Sequence, residues 1–140
     1  MSEVYLGNPN LKKANTEIEF TEEQIIEFLK CKEDPVYFAN NYIKIVSLDE
    51  GLTQFHPYDF QEKLIHNFHE NRFNICKMPR QTGKSTTVVS YLLHYAVFND
   101  SVNIGILANK AATARELLSR LQTAYENLPK WMQQGIISWN

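Results

Sequence analysis

The chain has 140 residues and a mass of 16.3 kDa, which is the size of one ordinary domain. Apolar residues make up 44% and charged residues 21%, so the composition is globular and excludes a disordered or fibrous protein. We expect no membrane span, because no apolar run is long enough, and no signal peptide at the start. Cys31 and Cys76 match no metal or disulfide pattern, which predicts a reducing, intracellular location.

The net charge of −2 conceals an uneven distribution of charge along the chain. Residues 1–70 contain 6 Lys or Arg against 13 Asp or Glu, a balance of −7. Residues 71–140 contain 8 against 3, a balance of +5. The basic half favours an anionic partner such as a nucleotide or nucleic acid, and the alternative is an ordinary surface with uneven charge.

Residues 1–56 are predicted to form an extended arm followed by a helical segment. The arm covers residues 1–19, which are polar. Thr21-Glu22-Glu23-Gln24 has the spacing of a capping box, and Asp34-Pro35 is typical of the start of a second helix. The apolar residues of the two predicted helical faces are Ile25, Phe28, Leu29, Phe38 and Tyr42. A turn is expected at Asp49-Glu50-Gly51.

Residues 57–140 alternate between predicted helices and strands. Pro57 opens a third helix, whose core side chains are predicted to be Phe60, Leu64 and Phe68. Strands are predicted at 73–78 and 102–107, adjacent and parallel, with an apolar helix at 84–98 between them. A long amphipathic helix follows, with Leu117, Leu118, Leu121, Tyr125 and Leu128 along one stripe, and a last strand begins at Ile136. This order predicts an α/β fold with a parallel sheet and flanking helices.

The segment from Met78 to Thr86 carries the strongest functional signal. Gly83-Lys84-Ser85 closes the phosphate-binding loop of P-loop nucleotidases. Glycine lets backbone amides turn toward phosphate oxygens, the lysine reaches the β- and γ-phosphates, and the serine hydroxyl binds Mg²⁺. The full motif has a glycine five residues before Gly83, where this chain has Met78. The fold class is therefore predicted to be a partial P-loop nucleotidase-type parallel sheet with flanking helices. The alternative for the segment from Met78 to Thr86 is a solvated turn without a phosphate-binding role.

The loop Arg80-Gln81-Thr82-Gly83-Lys84-Ser85-Thr86 resembles the deviant phosphate loop of the large terminase subunits of tailed bacteriophages, especially of the T4-like myovirus type. Four further segments are similar to that family in order and spacing: residues 7–15, 58–61, 105–110 and 135–140. The resemblance extends from about Leu6 to Asn140.

The resemblance implies an ATPase that drives viral DNA into a capsid in the cytoplasm of the infected host. Its cofactors would be ATP and Mg²⁺. Its partners would be double-stranded DNA, the portal protein and the small terminase subunit, with the motor forming a ring on the portal. The chain would correspond to the first part of the ATPase domain, residues 57–140, preceded by the arm and helices of residues 1–56. The nuclease domain of the family has no counterpart in these residues.

Particular residues take roles from the resemblance. Gln61 occupies the place of the adenine-binding glutamine, and a carboxamide suits the N6/N7 edge of adenine. Phe60 and Tyr58 would supply a stacking face, whereas the alternative makes Gln61 a surface residue and Phe60 a core residue. Arg80 is a candidate arginine finger supplied in cis, or a cation that holds the nucleotide. The predicted catalytic residues are Lys84 and Arg80, and the predicted nucleotide-binding residues are Gln61, Phe60, Pro79, Gln81, Thr82, Gly83, Lys84, Ser85 and Thr86.

Several other residues have open interpretations. The loop containing Asn109, Lys110 and Thr113 follows the second predicted strand, so it borders the nucleotide cleft or DNA path, or Asn109 simply caps a helix. His66 and His69 have a metal-site spacing without an evident carboxylate or cysteine partner, which favours a surface or half-buried pair. The two tryptophans, Trp131 and Trp139, are expected to be core or interface residues.

The acidic residues that ATP hydrolysis requires are not evident in this sequence. After Lys84 the acids are Asp100, Glu116 and Glu126, and none follows an apolar strand. We therefore expect a fragment, or one part of a split gene, that is inactive alone. The alternatives are the first part of a helicase or related translocase ATPase and a non-catalytic nucleotide-binding interaction module.

Overall fold

The computed structural model describes residues 3–140, which fold into a mixed arrangement of helices and strands. The elements in chain order are a 3-10 turn at Tyr5–Gly7, α1 at Glu22–Glu33, α2 at Pro35–Tyr42, β1 at Lys44–Ser47, β2 at Gly51–Gln54, α3 at Asp59–Glu70, α4 at Lys84–Phe98 and α5 at Ala111–Glu126. Within residues 3–140, no helix has both the length and the apolar character needed to cross a membrane.

Side-chain caps begin the first two helices, as the sequence predicts. The hydroxyl of Thr21 accepts a hydrogen bond from Gln24 N, and the Gln24 side chain accepts one from Thr21 N. Asp34 accepts hydrogen bonds from Val36 N and Tyr37 N, with Pro35 in the first turn of α2. These bonds satisfy amides that a helix leaves without partners at its start, so both boundaries are fixed locally.

A β-hairpin follows α2, of which the sequence predicts only the turn at Asp49-Glu50-Gly51. Lys44 pairs with Gln54 and Ser47 with Gly51 in an antiparallel register. The Gln54 side chain donates to Ile43 O and Ala39 O, which attaches the hairpin to the end of α2. This two-stranded sheet is the one sheet found in residues 3–140.

The predicted strands at 73–78 and 102–107 are not formed, and a parallel P-loop sheet is not shown. No backbone–backbone hydrogen bond involves either segment within residues 3–140. Exposure nevertheless alternates along 102–107, where Val102, Ile104 and Ile106 are half-buried and the residues between them are exposed. This period of two in side-chain exposure is that of an extended strand. Residues 102–107 therefore have the side-chain pattern of a strand without backbone hydrogen bonds to a neighbouring strand within residues 3–140.

The buried face of α3 differs from the predicted one. Phe60 is 45% exposed, which makes its predicted core position wrong, whereas Gln61 and Ile65 are buried. Leu64 is half-buried, and Phe68 is half-buried against the ring of Tyr91. The difference arises because Gln61 finds hydrogen-bond partners for both ends of its carboxamide, so a polar side chain can occupy the buried face.

One core joins the N-terminal helices to the later ones. Phe38 of α2 is fully buried, and its ring contacts those of His94 and Phe98 on α4. α4 spans the predicted range, and it places Leu93 and Val97 in the same cluster. α5 adds Ala124 and Tyr125. The predicted phosphate-binding loop is therefore connected to the core through α4, which begins at Lys84.

The N-terminal arm is held against the C-terminal segment. Leu11 is buried in the core, and Ala14 N donates to Ile136 O. The buried Gln133 side chain accepts from Lys12 N at 2.9 Å and donates toward three carbonyl oxygens. These are Asn10 O at 2.8 Å, Leu128 O at 3.1 Å and Tyr125 O at 3.3 Å. A single carboxamide thus links the arm to the end of α5.

Replacing Gln133 by alanine is expected to lower the free energy of unfolding by about 2 kcal/mol, because it leaves buried polar groups without partners. Urea-induced unfolding followed by circular dichroism measures the change. Gln122→Ala is the matched control, since that glutamine makes one exposed hydrogen bond, to Asn140 O. Equal effects of the two substitutions would contradict the assigned role of Gln133.

Candidate functional site

The loop before α4 presents a row of backbone amides without partners. Gln81 and Gly83 have positive φ values, 60° and 71°, which bend the chain just before the helix. Within residues 3–140, no acceptor is found for any backbone N–H from Gln81 to Thr86. The last of these amides belong to the first turn of α4, where the helix dipole favours negative charge. The loop therefore has the backbone chemistry of an anion site.

Side chains close the loop on itself. The Lys84 ammonium group donates to Met78 O at 3.3 Å, which spans the loop from its first residue to the start of α4. The Thr82 hydroxyl donates to Pro79 O at 3.0 Å. Lys84 is half-buried in this position, and its partner is a neutral carbonyl oxygen. A phosphate would offer the ammonium group a charged acceptor in place of that carbonyl, and a hydrogen bond between charged groups is stronger.

The carbonyl oxygen of Gly83 is the junction between the loop, α3 and α4. It accepts from Thr87 N at 3.0 Å, from the Thr87 hydroxyl at 2.8 Å and from Gln61 Nε2 at 3.2 Å. A Cβ at Gly83 would lie 2.4 Å from Gln61 Nε2, in addition to the strain of its positive φ. Glycine is therefore favoured here by the backbone conformation, and any other residue would also displace the Gln61 carboxamide from its hydrogen bond.

The structure brings Gln61 into contact with the loop, and two aromatic rings flank Gln61 in sequence at the start of α3. Gln61 is 3% exposed, and its Oε1 accepts from Tyr58 N at 2.9 Å. The rings of Tyr58 and Phe60 stack with centroids 5.9 Å apart and an angle of 13° between their planes. Both rings are exposed, so they present an aromatic surface at the start of α3. Gln61 connects that surface to Gly83 through its hydrogen bond.

Other predicted site residues have no partner in this arrangement. Arg80 and Gln81 are exposed, and the Arg80 guanidinium makes no hydrogen bond or ion pair within residues 3–140. Ser85 and Thr86 are half-buried, and neither hydroxyl has a hydrogen-bond partner in that part of the chain. The side chains of Asn109, Lys110 and Thr113 are exposed, and α5 has Lys110 rather than Asn109 as its N-cap.

The rings of His69 on α3 and His94 on α4 are in contact, a pairing that the sequence does not predict. His69 also packs against Tyr91, whereas His66 is exposed. His94 is buried and donates from Nε2 to Cys31 O at 2.7 Å. Burial lowers the pKa of His94 to about 4, with a smaller contribution from the nearby His69. His94 is therefore neutral in the folded protein at pH 7, a structural role that its position in an apolar helix indicates.

The remaining candidates are structural. Trp131 makes edge-on contacts with Phe20 and Tyr42, and Trp139 packs on Tyr125, as expected for core residues. In the part of the chain that the structure describes, no group of three or more His, Cys, Asp or Glu is placed to hold a metal ion. The Ser85 hydroxyl, the predicted Mg²⁺ ligand, lies in the first turn of α4. No protein-family model matches this chain.

Proposed function

We propose that this chain is the ATP-binding segment of a viral DNA-packaging motor of the large terminase type. The observation that carries the nucleotide-binding part is the row of free amides from Gln81 to Thr86 beside the Lys84 ammonium group. The motor assignment is supported by the resemblance of the loop and of the four further segments. We further propose that the chain forms the first part of a P-loop sheet with its flanking helices.

The loop would hold the triphosphate through its backbone and Lys84. The amides donate to phosphate oxygens, and Lys84 exchanges the Met78 carbonyl for the β- and γ-phosphates. The Ser85 hydroxyl would bind Mg²⁺, which neutralises phosphate charge when it is bound. Arg80 is free to turn toward the γ-phosphate, where a planar guanidinium stabilises developing negative charge.

The base would lie on the stacked rings of Tyr58 and Phe60, which are exposed at the start of α3. Gln61 already uses both ends of its carboxamide, on Tyr58 N and Gly83 O. To read adenine, its Nε2 would have to leave Gly83 O. The adenine role of Gln61 therefore stays a prediction from the resemblance, and the bonded geometry supports a role in holding the loop.

In this proposal the ATPase acts in the host cytoplasm on double-stranded DNA. The portal protein and the small terminase subunit are its partners, and the complete motor forms a ring on the portal. The exposed basic residues of the second half, including Lys110, supply charge that suits a phosphate backbone.

Gln61→Ala is expected to weaken ATP and GTP binding together, by roughly fivefold, because it removes one hydrogen bond that fixes the loop. Equilibrium binding of fluorescent ATP and GTP analogues, competed with unlabelled nucleotides, measures both affinities. Gln24→Ala is the matched control, since Gln24 has the same capping position on α1 without contact to the loop. A loss confined to ATP, of about 1–3 kcal/mol, would assign Gln61 to adenine instead.

A further inference from the structure

The carbonyl oxygen at which α4 starts receives more hydrogen bonds than the corresponding oxygen of any other α-helix in residues 3–140. Gly83 O accepts from Thr87 N at 3.0 Å and from two side chains, the Thr87 hydroxyl at 2.8 Å and Gln61 Nε2 at 3.2 Å. Within the same residues, the N-cap carbonyls of α1, α2, α3 and α5 accept from backbone N–H groups alone: Thr21 O, Asp34 O, Tyr58 O and Lys110 O. A carbonyl oxygen has two lone pairs, so three donors leave Gly83 O saturated.

The hydrogen bonds to Gly83 O act on the N–H of Lys84, because both groups belong to one trans peptide unit and point in opposite directions. Each bond to the oxygen draws electron density toward it and makes the N–H of the same unit a stronger donor, by about 10–30% per bond. The Lys84 N–H has no acceptor within residues 3–140, and it opens outward at the start of α4. The donors on Gly83 O therefore strengthen an amide of the predicted phosphate-binding loop.

Thr87 supplies the shortest of the three bonds from a side chain that is 0% exposed. Threonine hydroxyls often bond to the carbonyl one turn earlier in a helix, and Thr123 bonds in this way to Ser119 O at 3.1 Å on α5. Ser119 lies inside α5, where the amide of the next residue is already bonded within the helix. The bond of Thr87 differs because the peptide unit that it polarises carries a free N–H.

We propose that Thr87 is a positioning residue of the phosphate site. Its hydroxyl polarises the Gly83–Lys84 peptide and fixes its direction, so the Lys84 N–H is a stronger donor to an anion in the loop. Thr87 contacts no ligand itself. The inference rests on the proposed function for the identity of the anion, which is the triphosphate of a nucleotide.

Thr87→Val removes the hydroxyl and nearly keeps the shape of the side chain. Gly83 O retains Thr87 N and Gln61 Nε2 as donors, so the substitution leaves no buried acceptor without a partner. In NMR spectra of the nucleotide-free 140-residue chain, we expect the Lys84 amide proton to shift upfield in Thr87→Val and to return in Thr87→Ser. Thr123→Val is the matched control and should leave the Lys84 amide unchanged, because it removes the same kind of bond from α5.

Titration calorimetry with Mg²⁺-ATP and with inorganic tripolyphosphate measures the effect on binding. Thr87→Val should weaken both ligands by about two- to fourfold, Thr87→Ser should restore both affinities, and Thr123→Val should change neither. An unchanged Lys84 shift in Thr87→Val, or equal losses of affinity in Thr87→Val and Thr87→Ser, would overturn the role of Thr87 while the wild type still binds. Absence of binding by the wild type would overturn the proposed function and this role together.

Discussion

Lys84→Ala is expected to lower the affinity of this chain for Mg²⁺-ATP by roughly 10- to 100-fold, the effect of losing a charge-assisted hydrogen bond. Within residues 3–140 the Lys84 ammonium group has one hydrogen-bond partner, the neutral carbonyl of Met78, so its charge is available to a phosphate. The amides from Gln81 to Thr86 remain in the variant, which is why binding weakens rather than disappears. Titration calorimetry with ATP and a non-hydrolysable analogue measures the change.

Lys77→Ala is the control for that measurement, because Lys77 is an exposed lysine outside the loop. Equal affinities of wild type and Lys84→Ala would contradict the phosphate site.

We also expect negligible ATP turnover by the 140 residues alone, since no acidic group for positioning water is evident. Appreciable turnover that Lys84→Ala abolishes would show that a catalytic acid lies within this sequence.

In the complete motor that we propose, Arg80→Lys separates the two roles considered for Arg80. Lysine keeps the positive charge and loses the planar fork of the guanidinium. If Arg80 acts as a finger, turnover should fall steeply while ATP affinity changes little. A parallel loss of affinity would instead assign Arg80 to nucleotide binding.

The protein is expected to lose about 2 kcal/mol of its free energy of unfolding between pH 7 and pH 5 through His94 alone. Burial lowers the pKa of His94 to about 4 in the folded state, whereas an unfolded chain protonates near pH 6.5. Well above pH 6.5 His94 is neutral in both states, and its contribution to stability is complete. As the pH falls from 6.5 toward 4, protons bind the unfolded chain preferentially. The loss in free energy of unfolding therefore grows and reaches about 3 kcal/mol near pH 4.

His94→Gln should remove this pH dependence, because an amide can donate to Cys31 O without titrating. Urea unfolding at pH 7, 6 and 5 gives the slope for each variant, and His66→Gln is the control because His66 is exposed. An unchanged slope in His94→Gln would contradict the assignment.

Glu27 contributes to the pH dependence of stability in a more acidic range. Hydrogen bonds from Tyr37 and Tyr42 lower the pKa of Glu27, so its contribution to stability is complete above pH 4.5 and is lost as the pH falls further.

The features that the sequence predicts correctly are those encoded by neighbouring residues. The caps at Thr21 and Asp34 and the range of α4 depend on interactions a few residues apart. The bend before α4 belongs to the same class, since it depends on Gly83 and the start of the helix, whereas phosphate binding by this loop stays a prediction. Such features can be predicted without knowledge of the remaining fold.

The features that the sequence does not predict depend on distant partners. Gln61 occupies the buried face of α3 because Gly83 O lies opposite it, and spacing along a helix cannot show that. The alternating pattern of 102–107 predicts an extended strand, whereas a sheet requires a neighbour that these residues lack. The burial of His94 likewise requires Cys31 O, which belongs to α1.

The attachment of the arm by Gln133 has a consequence for the order in which the protein folds. The hydrogen bond between Lys12 and Gln133 joins residues 121 positions apart, and closing such a loop costs about 4 kcal/mol of chain entropy. Contacts of that span are expected to form late. During synthesis, Leu11 leaves the ribosome early but has its final neighbours only after Met132 and Gln133 have emerged. The arm therefore takes its final position only after the segment around Gln133 has been made, and until then the Leu11 side chain lacks its core neighbours.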